Sequence, residues 1–486
     1  MPDTAMLLPN GVDASTGDYL YPSIDLEAAR GYIDQEEMAE DALLGWLHKQ
    51  ARTAATLTKD FPPDLDPADV RQAGWGILYA PDLDPSAKQV LQRLVAHRRQ
   101  QADDPRTVKE FTYDGEPWAY KWLNRQGVST GIYDPYQVPY YLLLAGSPQS
   151  IPFSFGFQLN VNYAVGRLHF DTAAEYARYV DSLIRCEQAT AEANRREIVF
   201  FAPNHDEATA VSTSQLVTPL LNGVSATADR PAILPVAQAC GFASRAYLGG
   251  NAVKDRLSDI FTPAAPDAAP ALLFTAGHGL GKQQSHPDQP ALNGALLCQN
   301  WSGPGSIGPQ DYFAAHDLLD EARLGGMITL HFACFGGGTP DQDRYARMVK
   351  DLPDYSARQA FLAALPRRLL GHPNGGALAC LAHIDRIFTA SIDTTRRGPR
   401  YQPYRNILYQ LMRGKPVGYL NQREFSRLAA DLSNILNELR EYAKIGGKVK
   451  SQELVPLWIE RNDASSFLVL GDPAARLSIA GLTPVA

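Results

Sequence analysis

The sequence lacks the features that mark membrane or secreted proteins. It contains no run of 18 apolar residues, which argues against a transmembrane helix. It also has no basic segment followed by an apolar one near the first residue, so no secretory signal is expected. Only five cysteines occur in 486 residues, an odd number that does not suit a disulfide scaffold. We therefore expect a cytoplasmic protein with reduced thiols and no membrane partner.

Several common ligand signatures are also missing. The 45 Lys and Arg residues against 53 Asp and Glu residues give a net charge of −8, so no nucleic-acid partner is expected. The chain has no dinucleotide-binding glycine fingerprint and no Gly-x-Ser-x-Gly elbow of a serine hydrolase. A zinc site built from His278, Cys298, His331 and Cys334 is a weaker alternative, because no CxxC or HExxH spacing supports it. We expect neither a metal nor a cofactor.

Apolar runs that alternate with helical patterns dominate the chain. With 45% hydrophobic and 20% charged residues, the chain can bury a sizeable core. Continuous apolar runs at 140–145, 198–202, 271–276, 327–333 and 377–382 are typical of buried parallel strands. Strands of this type, separated by helices, predict an α/β fold with a mostly parallel sheet covered on both faces.

The same pattern divides the chain into four segments. Residues 1–70 are expected to be a peripheral helical region, and residues 71–190 a second, smaller α/β lobe that serves as a pro- or accessory unit. Residues 191–400 are expected to form the main α/β domain. Residues 401–486 are expected to be helical and to end in a closing strand.

Two strand ends carry residues suited to catalysis. One apolar strand ends in Gly277-His278-Gly279, and another ends in Cys334 followed by three glycines. The carboxyl ends of neighbouring parallel strands meet at one edge of the sheet, where ligands bind. A histidine can deprotonate a thiol or stabilise its thiolate. We therefore predict Cys334 as a nucleophile, His278 as its acid–base partner, and the amides of Gly279 and Cys334 as an oxyanion hole.

This pair of strand ends resembles the caspase-like cysteine peptidases, which include caspases, metacaspases, legumain, gingipains and CHAT proteins. The shared pattern is an apolar strand ending in His-Gly and, further along, another ending in Ala-Cys. YYLLLAGSPQSIPF, NYAVGRLHFDTAAEYARYV and FLVLGDPAARL are most similar to segments of the gingipain and CHAT branches. The resemblance implies a caspase-like three-layer α/β/α fold and a cysteine endopeptidase. The insertion containing ALLCQNW and the Phe-Gly-Gly-Gly after Cys334 depart from the caspase and metacaspase patterns.

The resemblance also implies a charged pocket that selects the residue before the scissile bond, P1. Asp206 and Asp385 are the acidic candidates for its base and would select Arg or Lys. Asp341 and Asp343 are weaker candidates, and Arg386 is the rival that would select an acidic residue.

Regulation and biological role follow from the same resemblance. It implies a zymogen with an activating protease or a regulatory partner, and a part in bacterial stress or antiviral defence. The self-cleavage candidates are Arg344, Arg347 and Lys350.

Two other functions remain open at this stage. The chain could be a catalytically silent scaffold on the same fold, although such a protein would be expected to have lost His278 or Cys334. It could also be a cysteine-dependent amidase acting on small molecules. An amidase would have a closed pocket, whereas an endopeptidase needs a groove that accepts an extended chain by strand addition.

Overall fold

A ten-stranded sheet runs through the computed structural model, which describes residues 6–39, 61–128, 133–188, 194–227, 231–264, 268–345, 348, 353–392 and 400–485. The strands are β1 Trp75–Tyr79, β2 Val108–Thr112, β3 Tyr141–Ala145, β4 Ala164–Leu168, β5 Arg195–Ala202, β6 Ala243–Leu248, β7 Pro270–Ala276, β8 Ile328–Phe332, β9 Ala379–His383 and β10 Phe467–Gly471. Their order across the sheet is β2-β1-β3-β4-β10-β9-β8-β7-β5-β6. The α/β class with a mostly parallel sheet is confirmed.

The sheet consists of two parallel blocks of five strands that run in opposite directions. Every neighbouring pair is parallel except β9 and β10, which are antiparallel. The closing strand β10 therefore joins the block formed by residues 71–190 to the block that carries His278 and Cys334. The two predicted α/β segments share one sheet and one continuous hydrophobic core. All residues of β1, β3, β4 and β7–β10 are buried, so both faces of the sheet are covered.

Helices follow most strands. Those of five or more residues are α1 Leu26–Ala39, α2 Pro85–Gln101, α3 Ala119–Arg125, α4 Phe153–Asn160, α5 Ala173–Gln188, α6 Glu207–Val211, α7 Thr218–Asn222, α8 Lys254–Phe261, α9 Ala364–Leu370, α10 Gln402–Leu411, α11 Val417–Asn421, α12 Arg427–Lys444 and α13 Ser451–Ser465. A π-helical segment joins α6 to α7, and another joins α11 to α12. A capping box begins α5, because Thr172 and Glu175 exchange hydrogen bonds. None of the described helices is long and apolar enough to cross a bilayer.

Short strand pairs build the surroundings of the strand ends. Leu296–Leu297, in the insertion containing ALLCQNW, pairs with Tyr312–Phe313 in antiparallel orientation. One further pair joins Val12–Asp13 to Leu280–Gly281 in parallel. Residues 1–70 were expected to be a peripheral helical region, but residues 9–13 are buried. Residues 8–13 cross the carboxyl ends of the strands that carry His278 and Cys334.

Candidate active site

His278 and Cys334 extend two adjacent strands in register. Ala276, the last residue of β7, pairs with Phe332, the last residue of β8. Each functional residue lies two positions further along, and the amide of Gly277 donates to the Phe332 carbonyl between them. Both side chains are buried. The parallel register therefore brings the imidazole and the thiol to the same edge of the sheet.

A carboxylate orients the imidazole. His278 Nε2 lies 2.7 Å from Asp206 Oδ2, and Nε2 carries the proton because a backbone amide donates to Nδ1. Asp206 follows β5, which pairs with β7 on the side away from β8, and it caps α6 by accepting from Thr209. Burial opposes the charge, but His278 and Thr209 together hold the pKa of Asp206 well below its usual range. Asp206 was expected at the base of a P1 pocket, and the structure places it beside the histidine instead.

The Cys334 thiol is enclosed. Its Sγ donates to the Asn10 carbonyl at 2.9 Å and accepts from the Ile387 amide at 3.3 Å. Burial raises the pKa of this thiol to about 12, so it is neutral at physiological pH in this closed arrangement. Phe335, the next residue, has a φ of 56°, the only positive value at a non-glycine position among the described residues. Such strain at a tight turn is typical of a residue held for function.

Three aromatic rings lie close to the His278 imidazole. The ring centroid of Tyr19 is 5.8 Å away, and those of His205 and Trp301 are both 6.3 Å away. Burial and the Asp206 carboxylate raise the pKa of Tyr19, and burial lowers the pKa of His205 to about 4. These rings offer no charge that would compete with Asp206 for the imidazole.

Gly279 is closely packed against Cys334. A side chain here would place its Cβ 2.0 Å from the Cys334 carbonyl oxygen, so only glycine fits. This approach brings the amides of the two predicted oxyanion-hole residues near each other. Among the described residues, the Asn10 carbonyl accepts a hydrogen bond from the Cys334 thiol and not from these two amides.

The remaining pocket candidates lie after β9. Asp385 is buried, and burial followed by the neighbouring Asp343 raises its pKa. Arg386, the rival candidate, forms a buried bidentate pair with Asp343, and its guanidinium lies 4.9 Å from the ring centroid of Tyr21. Arg386 is already paired with Asp343, whereas no described cation forms a bidentate pair with Asp385. Both are close enough to act on the pKa of Cys334.

The other predicted residues are spread more widely. Arg344 donates to Ser465 and Ser466, whereas Arg347 and Lys350 lie outside the described residues. His331 bonds to the Thr275 hydroxyl at 2.8 Å, and Cys298 donates to the Leu296 carbonyl. Across the described ranges, no group of three or more His, Cys, Asp or Glu side chains is arranged to hold a metal ion.

Comparison with known proteins finds similar solved structures at low sequence identity. No protein-family model and no curated protein sequence matches the chain. Among solved structures, the Arg-specific cysteine proteinase gingipain R aligns with a TM-score of 0.48 and 12% identity, over 85% of this chain and 80% of that chain. The complex of the Porphyromonas gingivalis RgpB pro- and mature domains gives 0.45 and 12%, over 83% and 80%. A structure described only as a protease gives 0.47 and 10%, over 83% and 78%. TM-scores below 0.5 do not place the chain in their family.

Proposed function

We propose that the chain is a cysteine endopeptidase in which Cys334 is the nucleophile, His278 the acid–base group and Asp206 the residue that orients His278. One observation carries this proposal: the thiol and the imidazole contact the two ends of a single peptide group, between Asn10 and Gly11. A nucleophile must reach the carbonyl and an acid must reach the leaving nitrogen. The arrangement provides both contacts on one substrate-like bond.

The way this peptide is held favours an endopeptidase over an amidase. Residues Leu8–Asn10 lie antiparallel to Ile387–Thr389, with Asn10 N donating to Ile387 O and Thr389 N donating to Leu8 O, each at 3.0 Å. This is strand addition, the mode by which grooves accept extended peptides. A small-molecule amidase has no use for such an edge. A silent scaffold would not need His278, Asp206 and Cys334 around one peptide bond.

For the P1 residue, Asp385 supports the preference for Arg or Lys. Its carboxyl is buried with a raised pKa, and a cation bound beside it would restore its negative charge. Arg386 is held by Asp343 and is not available to an acidic residue. The closed cleft also supports a zymogen-like form that a protease or a partner opens.

A fluorogenic peptide panel with Arg, Lys, Asn, Asp or Ala at P1 tests the proposal. The full chain is assayed before and after limited trypsin treatment, beside Cys334→Ala and a control, Cys240→Ala, which removes a half-buried thiol elsewhere. We expect cleavage that survives Cys240→Ala and disappears in Cys334→Ala. Equal cleavage by wild type and Cys334→Ala, or none under any condition, would refute a cysteine endopeptidase. Preference for Asp at P1 would overturn the role of Asp385.

A further inference from the structure

The segment that crosses the active site makes the contacts of a bound substrate. Leu8 O accepts from both the amide and the hydroxyl of Thr389, at 3.0 and 2.9 Å, and Pro9 lies opposite Phe388. Beyond Gly11, the segment contacts the other side of the cleft, which is formed by residues 279–281. There Val12 N donates to the Gly279 carbonyl at 3.2 Å. The chain is therefore anchored on both sides of the peptide bond between Asn10 and Gly11.

That bond lies beside both catalytic groups. Cys334 Sγ lies 2.9 Å from the carbonyl oxygen of Asn10, and His278 Nδ1 lies 2.8 Å from the nitrogen of Gly11. The nitrogen that would leave is thus the one the imidazole already touches. Asp206 holds the opposite side of the ring. No other group needs to move into reach of the leaving nitrogen.

The two residues flanking the bond are both buried, and each has an unusual feature. The Asn10 side chain is fully buried, and within the described structure neither its amide nitrogen nor its amide oxygen has a hydrogen-bond partner. Buried amides without partners are rare in cores and cost free energy, so their presence beside a nucleophile calls for a functional reason. Gly11 has a φ of +114°, and an added Cβ would lie 3.2 Å from Cys334 Sγ and 2.5 Å from Leu20 Cδ1. Only glycine passes the thiol in this conformation.

We propose that the Asn10–Gly11 bond is a substrate of this active site, so that Cys334 cleaves its own chain there and the P1 subsite accepts asparagine. The inference rests on the proposed endopeptidase function and extends its P1 preference to an uncharged amide. It also moves the self-cleavage site from the basic residues near Arg344 to the segment that fills the cleft.

The reaction balances without any further reactant except water. Cys334 Sγ bonds to the Asn10 carbonyl carbon, and the C–N bond to Gly11 breaks. The thiol proton passes through His278 to the Gly11 nitrogen, which leaves as an amine. Water then attacks the thioester, gives a carboxylate on Asn10 and restores the thiol.

Intact mass measurement and N-terminal sequencing of the purified full chain test this inference. The variants are Cys334→Ala and Asn10→Ala. The sequence supplies matched internal controls, because Asn-Gly also occurs at 222–223, 293–294 and 374–375, and the last is preceded by proline just as Asn10 is. A synthetic peptide of residues 6–14 serves as a substrate in trans, beside a version with Arg in place of asparagine.

We expect a chain that begins at Gly11 in wild type, none in Cys334→Ala, and at least tenfold slower formation in Asn10→Ala. Cleavage of the Arg peptide by wild type while Asn10–Gly11 stays intact in the chain and in the peptide would overturn the inference and leave the proposed function standing. Cleavage that persists in Cys334→Ala, or that appears equally at 374–375, would show spontaneous Asn-Gly chemistry and overturn it as well. An inert wild type under all conditions would overturn both proposals.

Discussion

Replacing Gly11 with alanine should open the cleft. At a φ of +114°, a residue with a Cβ is strained by about 1–3 kcal/mol. The new methyl would also lie 3.2 Å from Cys334 Sγ, while Leu20 Cδ1, at 2.5 Å, is the end of a flexible side chain that can move. The strain acts only while the segment is seated. A destabilisation of 1–3 kcal/mol increases the population with an open cleft by about 5–150-fold.

The population of the open state can be measured by alkylation of Cys334 with iodoacetamide. In the closed state the thiol is buried and its pKa is raised to about 12, so reaction requires opening. When opening is fast, the rate follows the open population. We expect Gly11→Ala to accelerate alkylation at Cys334 by about 5–150-fold. Cys298 and Cys380, which are also buried, report whether the whole fold has loosened.

Gly115→Ala is the matched control. Gly115 also has a positive φ, +83°, but an added Cβ there would meet no atom within 4 Å. This variant should carry comparable backbone strain without affecting the cleft. An unchanged Cys334 rate in Gly11→Ala, or an equal acceleration at Cys298 and Cys380, would refute the view that residues 8–13 close the site.

Three carboxylate variants give further tests. Asp206→Asn should lower kcat/KM by about 10²-fold because His278 loses its anionic partner. The melting temperature should change little, since asparagine still caps α6 by accepting from Thr209. An unchanged kcat/KM would exclude the orienting role. Asp385→Asn should reduce kcat/KM about 10- to 100-fold for peptides with Arg or Lys at P1, because a charge-assisted contact is lost, but not for peptides with Ala. An equal loss for all peptides would place Asp385 outside the pocket. Burial raises the pKa of Asp463 well above its usual value, so the folded state keeps a proton that the unfolded state releases. The free energy of unfolding therefore falls as the pH rises above about 4, by up to about 1.4 kcal/mol per pH unit. In urea unfolding at pH 5 and pH 7, Asp463→Asn should therefore gain stability relative to wild type at the higher pH, and a difference independent of pH would contradict this.

Much of the central sheet could be predicted from apolar runs. The strands predicted at 140–145, 198–202, 271–276, 327–333 and 377–382 are all present, because strands buried on both faces consist of continuous apolar residues. The strands at 108–112 and 243–248 were not predicted, because they lie at the two edges of the sheet, are partly exposed and lack a continuous apolar run. The reversal between β9 and β10 had no signal at all. A buried strand has the same composition in either direction.

The active site was only partly predictable, for a similar reason. His278 and Cys334 could be singled out because each directly follows a buried strand. Asp206 was noticed as an acidic residue after a strand, but its place beside His278 depends on β5 being the neighbour of β7. Strand order is set by packing between distant parts of the chain. The segment around Asn10 carries no motif, and its contacts with the site lie more than 250 positions away, at His278, Cys334 and Ile387.

Cleavage would change the charge of the segment that fills the cleft. In the intact chain, Asn10 presents a neutral carbonyl to a neutral thiol, and the amide of Gly11 bonds to a neutral Nδ1. After cleavage, Asn10 would carry a carboxylate in a fully buried position, and Gly11 would carry an amine. Burying this new carboxylate and amine costs free energy that the uncharged peptide bond did not cost. Among the described residues, the Asn10 carbonyl bonds to the thiol and the Gly11 amide bonds to the imidazole, and neither group is a charge partner for the new termini. The residues ending at Asn10 would therefore leave the edge formed by Ile387–Thr389 and expose it to a separate peptide chain. The same contacts that close the cleft in the intact chain would thus make its opening a consequence of the first turnover.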